Sequence, residues 1–130
     1  VIPIKQKLRK IPYYFKQEFK EMIMKMKSLG MIRESNSPWC SPVRLVQKKD
    51  RTLRVTVDFI KLNNVTIKDS YPIPRIEDMF SQLTTGRVFT TLDLASGYYQ
   101  VAMDEESKKY TAFACEFGFF EYNVMPMGLT

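Results

Sequence analysis

Residues 92 to 101 read Leu92-Asp93-Leu94-Ala95-Ser96-Gly97-Tyr98-Tyr99-Gln100-Val101, and they hold the densest chemistry in the chain. The run Val88-Phe89-Thr90-Thr91 before them has the β-branched and aromatic content of a strand. A strand over 88–94 carries the Asp93 carboxylate to its end and meets a tight turn at Ser96-Gly97. A lone acid among apolar neighbours is costly to bury unless a positive partner meets it. A divalent ion such as Mg²⁺, which takes hard oxygen ligands, is one such partner. The same residues suit a second reading, in which Asp93 forms the turn by bonding backbone two residues on.

A second concentration is cationic. Lys48, Lys49, Arg51 and Arg54 fall within seven positions around Asp50-Arg51-Thr52. Residues 43–48 and 53–57 read as the two arms of a hairpin, which places these cations at its tip. Four cations and one acid repel each other unless an anion is near, and phosphate is the natural anion. A solvated polar tip is the plainer alternative. Charge is uneven along the whole chain. Residues 1–61 hold 15 Lys/Arg against 5 Asp/Glu (+10), and residues 62–130 hold 5 against 9 (−4), in a chain of net charge +6. A basic first half beside an acidic second half suits a grip on a polyanion next to a metal-binding region.

Several chemistries are excluded. The chain has no histidine and only two cysteines, Cys40 and Cys115, far apart in sequence. The usual zinc patterns, a Ser-His-Asp triad and a Cys-His nucleophile are therefore absent. Carboxylates, cations, hydroxyls and backbone must do any chemistry. Two isolated cysteines read as reduced, partly buried thiols of an intracellular protein. No apolar run approaches the roughly 18 residues of a membrane span, and no signal peptide is visible. The start at Val1 and the stop at Thr130 both read as cuts in a longer chain.

The elements that must position these residues follow from periodicity. Pro12 suits a first helical turn, and Phe15, Phe19, Met22, Met26 and Leu29 step along one face of a helix that Gly30 ends. Residues 31–33 read as a short strand, residues 58–69 as irregular or short helical structure, and residues 70–74 as extended because of Pro72 and Pro74. Residues 75–83 read as a helix with Ile76, Met79, Phe80 and Leu83 on one face, and residues 104–109 as one helical turn. Residues 111–115 and 119–125 form an antiparallel pair. Hairpins mixed with helices predict an α+β fold in a domain with a moderate core.

In this order the segments resemble the N-terminal part of a reverse transcriptase, above all that of gypsy-type long-terminal-repeat retrotransposons. The matching stretches include Ser37-Pro38-Trp39, Lys48-Lys49-Asp50, Leu53-Arg54-Val55-Thr56-Val57-Asp58-Phe59, Lys61-Leu62-Asn63 and Tyr71-Pro72-Ile73-Pro74-Arg75. They continue with Thr91-Leu92-Asp93-Leu94, Ser96-Gly97-Tyr98, Lys109-Tyr110-Thr111-Ala112-Phe113 and Val124-Met125-Pro126-Met127-Gly128. Each string is weak alone; the ordered set covers nearly the whole chain.

The resemblance implies fingers over residues 1–83 and the start of a palm over 84–130. It implies an RNA-directed DNA polymerase that adds deoxynucleotides to a primer 3′ end with two Mg²⁺ (or Mn²⁺) ions. Asp93 would be the catalytic metal ligand, joined by the backbone carbonyl of Leu94. Lys48 and Arg54 would hold the triphosphate, and Ser96 and Gly97 would turn backbone N–H groups toward it. Tyr98 would sit under the incoming sugar and exclude a 2′-hydroxyl, with Tyr99 left for packing. Met127 would line the nucleotide pocket. Arg44, Lys49 and Arg51 would lie near the template-primer. The implied partners are an RNA or DNA template with primer, a dNTP and the remainder of a Pol polyprotein, with no membrane.

Three departures from the family pattern stand out. Arg51 follows Asp50 where Gly is common, so the tip is expected to use a loop other than a two-residue turn. Ile60 stands where arginine is usual. The Tyr-x-Asp-Asp element with the other metal carboxylates is not present. The chain alone is therefore expected to be inactive, and to aggregate or order only in part. The rival reading is a basic nucleic-acid-binding fragment without chemistry, a relic of a mobile element.

Overall fold

The apolar stripe of the first helix has a sheet to cover. In the computed structural model, which describes residues 1–130, α1 (Lys16–Ser28) follows a 3₁₀ turn over Tyr13–Phe15 and buries Phe19 and Ile23. Full burial of each such side chain stabilises by about 1.5–3 kcal/mol. Ile23, absent from the expected stripe, is wholly buried, whereas Leu29 is 64 % exposed. The helix ends at Ser28, and Gly30 takes φ +72, so Leu29 lies past the packed face.

The sheet is mixed and has five strands: β1 (Ile32–Glu34), β2 (Ser41–Gln47), β3 (Leu53–Val57), β4 (Phe113–Cys115) and β5 (Gly118–Tyr122), in the order β1-β5-β4-β2-β3. Three neighbour pairs are antiparallel; β2 and β4 run parallel, with Ser41 opposite Phe113. Strand β3 alternates cleanly: Leu53, Val55 and Val57 face the core, while Arg54 faces out. Phe113, Phe120 and Tyr122 fill the centre, with ring centroids 5.3–5.9 Å apart. Thr111 is buried yet satisfied, because its hydroxyl donates to the Lys108 carbonyl and accepts the Tyr122 N–H. Arg33 on β1 reaches Glu121 on β5 and Glu105 beyond it, and Lys108 also holds Glu105.

Two short helices complete the order: α2 (Ile60–Val65) and α3 (Ile76–Leu83). The α+β class holds, since five strands and these helices share one chain. The strand expected over 88–94 does not form. Those residues are exposed and no segment of the chain pairs with them, so no ladder of hydrogen bonds defines a strand. The sheet draws β4 and β5 from beyond residue 83, and no residue between Leu62 and Thr111 is buried. One body comprises the sheet, α1 and α2, while residues 67–96 are exposed throughout, Ile76, Phe80, Val88 and Leu92 among them.

The hairpin tip shows how the Arg51 departure is accommodated. The Arg51 N–H donates to the Lys48 carbonyl at 3.0 Å, and the Lys48 N–H donates to the Thr52 carbonyl at 2.8 Å. The loop is thus longer than two residues, as expected, but Arg51 still takes φ +67. A left-handed non-Gly residue costs roughly 1–2 kcal/mol. The substitution Arg51→Gly is therefore expected to raise stability by about 0.5–1 kcal/mol, offset in part by glycine's greater freedom when unfolded. A melting-temperature comparison of the two proteins checks this; a lower melting point for the glycine variant contradicts it.

Candidate nucleotide and metal site

The cations of the hairpin lie on its outer side. Arg44 and Arg54 project from the face opposite the core, since Val46 pairs with Arg54 and Arg44 with Thr56. Lys48, Lys49 and Arg51 are exposed at the tip. None of these five cations takes part in an ion pair. The one acid among them is otherwise engaged. Asp50 accepts the Thr52 hydroxyl at 2.6 Å and the Thr52 N–H at 3.0 Å, and these bonds hold its carboxyl below the usual carboxylate range. The tip is an open positive surface suited to phosphate.

Residues 93–101 form the second part. Asp93, Leu94, Gly97 and Tyr98 line one open depression of about 480 Å³, together with Val101 and Met125. Ser96 is not in its lining. Ser96 takes φ +51, which turns the chain into a 3₁₀ helix over Gly97–Gln100. A Cβ on Gly97 would stand 3.2 Å from the Leu94 Cβ, so glycine lets this turn fold closely onto Leu94. The Met125 N–H donates to the Val101 carbonyl at 2.8 Å and ties the depression to the body.

Asp93 is exposed, which corrects the expectation of a carboxylate at a buried strand end. Its neighbours form no sheet that would take it from water, so the cost of burial no longer argues for a cation there. The turn reading fares no better, since Asp93 accepts no hydrogen bond from the backbone two residues on, whereas Asp50 does. What remains is a free carboxylate at the rim of a depression, beside the Leu94 backbone. Both are hard oxygen donors. No three His, Cys, Asp or Glu side chains come together anywhere in the structure.

The two tyrosines separate as expected but for a different reason. They sit on a 3₁₀ turn, where successive side chains diverge by about 120°, and not on a strand. Tyr98 is 54 % exposed and lines the depression, while Tyr99 packs on the core. Tyr99 lies near both Arg54 and the buried Tyr122. Burial pushes the Tyr99 phenol up, against the opposing pull of Arg54, and pushes the Tyr122 phenol further. Both phenols stay neutral.

Met127 meets Arg54 directly: an Arg54 Nη1–H points at the Met127 Sδ at 3.9 Å. The structure thus groups Asp93, Leu94, Gly97 and Tyr98 in one place and Arg54 with Met127 in another, with Tyr99 beside Arg54. It brings none of Lys48, Lys49, Arg51 or Arg44 to the depression. Sequence reasoning missed Val101 and Met125 as lining, and it gave no role to Asn63. The strings Lys61-Leu62-Asn63 and Val124-Met125-Pro126 contain all but Val101, yet nothing in their spacing announces the contact. A larger cavity of about 690 Å³, bordered by Trp39, Leu62 and Tyr110, holds none of the candidate residues.

The sequence pattern of the family described as "Reverse transcriptase (RNA-dependent DNA polymerase)" matches residues 46–130. The Retrovirus-related Pol polyprotein from transposon 297 of Drosophila melanogaster is 44 % identical over 117 residues, covering 86 % of this chain and 11 % of the polyprotein. The corresponding polyprotein from transposon gypsy is 41 % identical over 106 residues, covering 77 % of this chain and 10 % of its own length. The chain therefore spans only about a tenth of these curated relatives. Among solved structures, the prototype foamy virus protease-reverse transcriptase superposes with a TM-score of 0.86 at 24 % identity, over 100 % of this chain and 18 % of that one. The foamy viral protein in complex with an RNA/DNA hybrid gives 0.80 at 20 % identity, again over 100 % of this chain and 18 % of its own. At such identities the likeness speaks for the fold.

Proposed function

The chain belongs to the reverse transcriptase family, and from that premise we propose that it forms the fingers and the beginning of the palm of an RNA-directed DNA polymerase. The supporting observation is that Asp93, Leu94 and Tyr98 line one depression, with Asp93 exposed and free of ion pairs and Tyr98 exposed. Asp93 and the Leu94 carbonyl offer oxygen donors to divalent cations, Mg²⁺ or Mn²⁺. Two such ions, when bound, supply positive charge to the attacking and leaving oxygens of a phosphoryl transfer. The remaining ligands come from outside these residues.

The chain's own groups would bind and orient. Arg54 offers a planar fork to phosphate oxygens, and Lys48 a compact point charge. The turn at Ser96-Gly97 presents backbone to the triphosphate. Tyr98 stands where a sugar would rest, and its ring would fill the space of a 2′-hydroxyl. Met127 gives the nucleotide an apolar surface. Arg44, Lys49 and Arg51 would lie along the template-primer, adding salt-dependent affinity. The foamy viral protein bound to an RNA/DNA hybrid has the same fold, which supports a duplex as partner. An intracellular setting, cytoplasmic particle or nucleus, belongs to the same proposal.

Primer extension on an RNA template tests this reading, with a complete polymerase that includes this chain. DNA synthesis is expected with Mg²⁺, is abolished by a chelator, and returns on adding Mg²⁺ or Mn²⁺. Residues 1–130 alone are expected to extend nothing. Synthesis by residues 1–130 alone would contradict the assigned share of the metal site. A complete protein that binds nucleic acid without synthesis would favour the basic binding module.

A further inference from the structure

One amide side chain, at Asn63, links two parts of the site. Asn63 is half-buried on α2, next to Leu62, which anchors that helix in the core. Its Nδ2 donates to the Gly128 carbonyl at 2.8 Å, and its Oδ1 accepts the Thr130 N–H at 3.1 Å. The two bonds clamp the segment immediately after Met127. Gly128 takes φ +87, and a Cβ there would meet nothing within 4 Å. The segment bends at Gly128 with no steric wall there; buried Pro126 and the packing of Leu129 on the core hold its apolar side, and the amide adds the polar restraint on the backbone between and beyond them.

The contacts form a closed circuit. Arg54 lies on β3, and β3 leads through Asp58 into α2. The Asp58 N–H donates to the Pro42 carbonyl at 2.9 Å, and the Asp58 carboxylate accepts the Ile60 N–H at 3.2 Å. Arg9 pairs with the same carboxylate at 2.8 Å. Asn63 then reaches across to residues 128–130, and Met127 returns to Arg54 at 3.9 Å. We propose that Asn63 is a positioning residue for nucleotide binding: by clamping residues 128–130 it seats Met127 against Arg54 and holds that guanidinium toward the triphosphate. This rests on the proposed nucleotide site and assigns a residue that touches neither metal nor nucleotide.

The circuit predicts a selective defect. In the complete polymerase, Asn63→Ala removes both bonds and is expected to raise the KM for dNTP about tenfold, as the loss of two ordinary hydrogen bonds allows. The kcat at saturating dNTP and the affinity for template-primer stay close to the parent's. Because Asn63 acts through Met127, adding Asn63→Ala to Met127→Ala should raise KM no further. The near-isosteric Asn63→Asp serves if the alanine variant folds poorly. It keeps the acceptor for Thr130 and turns an oxygen toward the Gly128 carbonyl, so the same KM-selective defect is expected. The inference is overturned if dNTP KM is unchanged in both variants, if template-primer affinity falls in parallel with it, or if the Asn63 and Met127 effects multiply. Asp93→Asn in the same assay separates the failures. If it abolishes synthesis while Asn63→Ala leaves KM unchanged, only the clamp is wrong; if it leaves synthesis intact, the site itself is wrong.

Discussion

Replacing Asp93 by asparagine in the complete polymerase should cut DNA synthesis by about a thousandfold or more while leaving the fold untouched. The first half follows from charge. A carboxylate gives a divalent cation a negatively charged oxygen, and an amide gives it a weaker, neutral one. Charge stabilisation by such ions is worth several kcal/mol in the transition state, and each 1.36 kcal/mol is tenfold in rate. The second half follows from the surroundings of Asp93. It is exposed, makes no side-chain hydrogen bond and takes part in no ion pair, so the substitution breaks no native contact. Surface substitutions of this kind stay within about 0.5 kcal/mol of the parent.

The pairing of those two outcomes is what gives the experiment force. Steady-state primer extension and a thermal melt should be run on the same preparation. Lost synthesis with an unchanged melting point identifies a chemical role. Lost synthesis with a lower melting point assigns Asp93 to structure, which the absence of contacts argues against. Undiminished synthesis removes the carboxylate from the mechanism and leaves the depression without its acid.

Local rules read some parts of this molecule well and others not at all. The hairpin arms expected over 43–48 and 53–57 pair over 43–47 and 53–57; they were legible because strand-forming and turn residues act over a few positions. The stop at Gly30 was legible because left-handed backbone at a helix end favours glycine. Helical phase was legible in part: Phe15, Phe19, Met22 and Met26 pack on the core as the spacing predicts, but Ile23 occupies the deepest point and Leu29 is exposed. The run 88–94 has strand composition and is no strand, because pairing needs a second segment that composition does not reveal. For the site, the resemblance supplied roles one residue at a time, and the fold supplied their company. Arg54 and Met127 are 73 positions apart, as chain order conceals and the bridge from α2 explains. Asp93 is exposed, so burial gives no reason for a cation beside it, while Leu94, Gly97 and Tyr98 share its depression.

That neighbourhood carries the second large effect. Truncating Tyr98 to alanine should raise the efficiency of ribonucleotide use relative to deoxyribonucleotide use by about a hundredfold. The reasoning is steric: discrimination against one extra hydroxyl by a clash is a repulsive device, and removing a wall of this kind is worth on the order of 1–3 kcal/mol. Tyr98 is suited to the part because its ring lines the depression from an exposed position, with Asp93 and Leu94 in the same wall. Tyr99 is the internal control. It packs on the core near Tyr122 and Arg54, so Tyr99→Phe keeps the packed ring and removes only a hydroxyl. Discrimination should be unchanged in that variant. Competitive incorporation of matched ribo- and deoxyribonucleotides, compared as kcat/KM ratios, separates the two residues. If the ratio moves with Tyr99 and not with Tyr98, the 3₁₀ turn presents the opposite ring to the sugar, and the depression at Asp93 is not where the nucleotide lies.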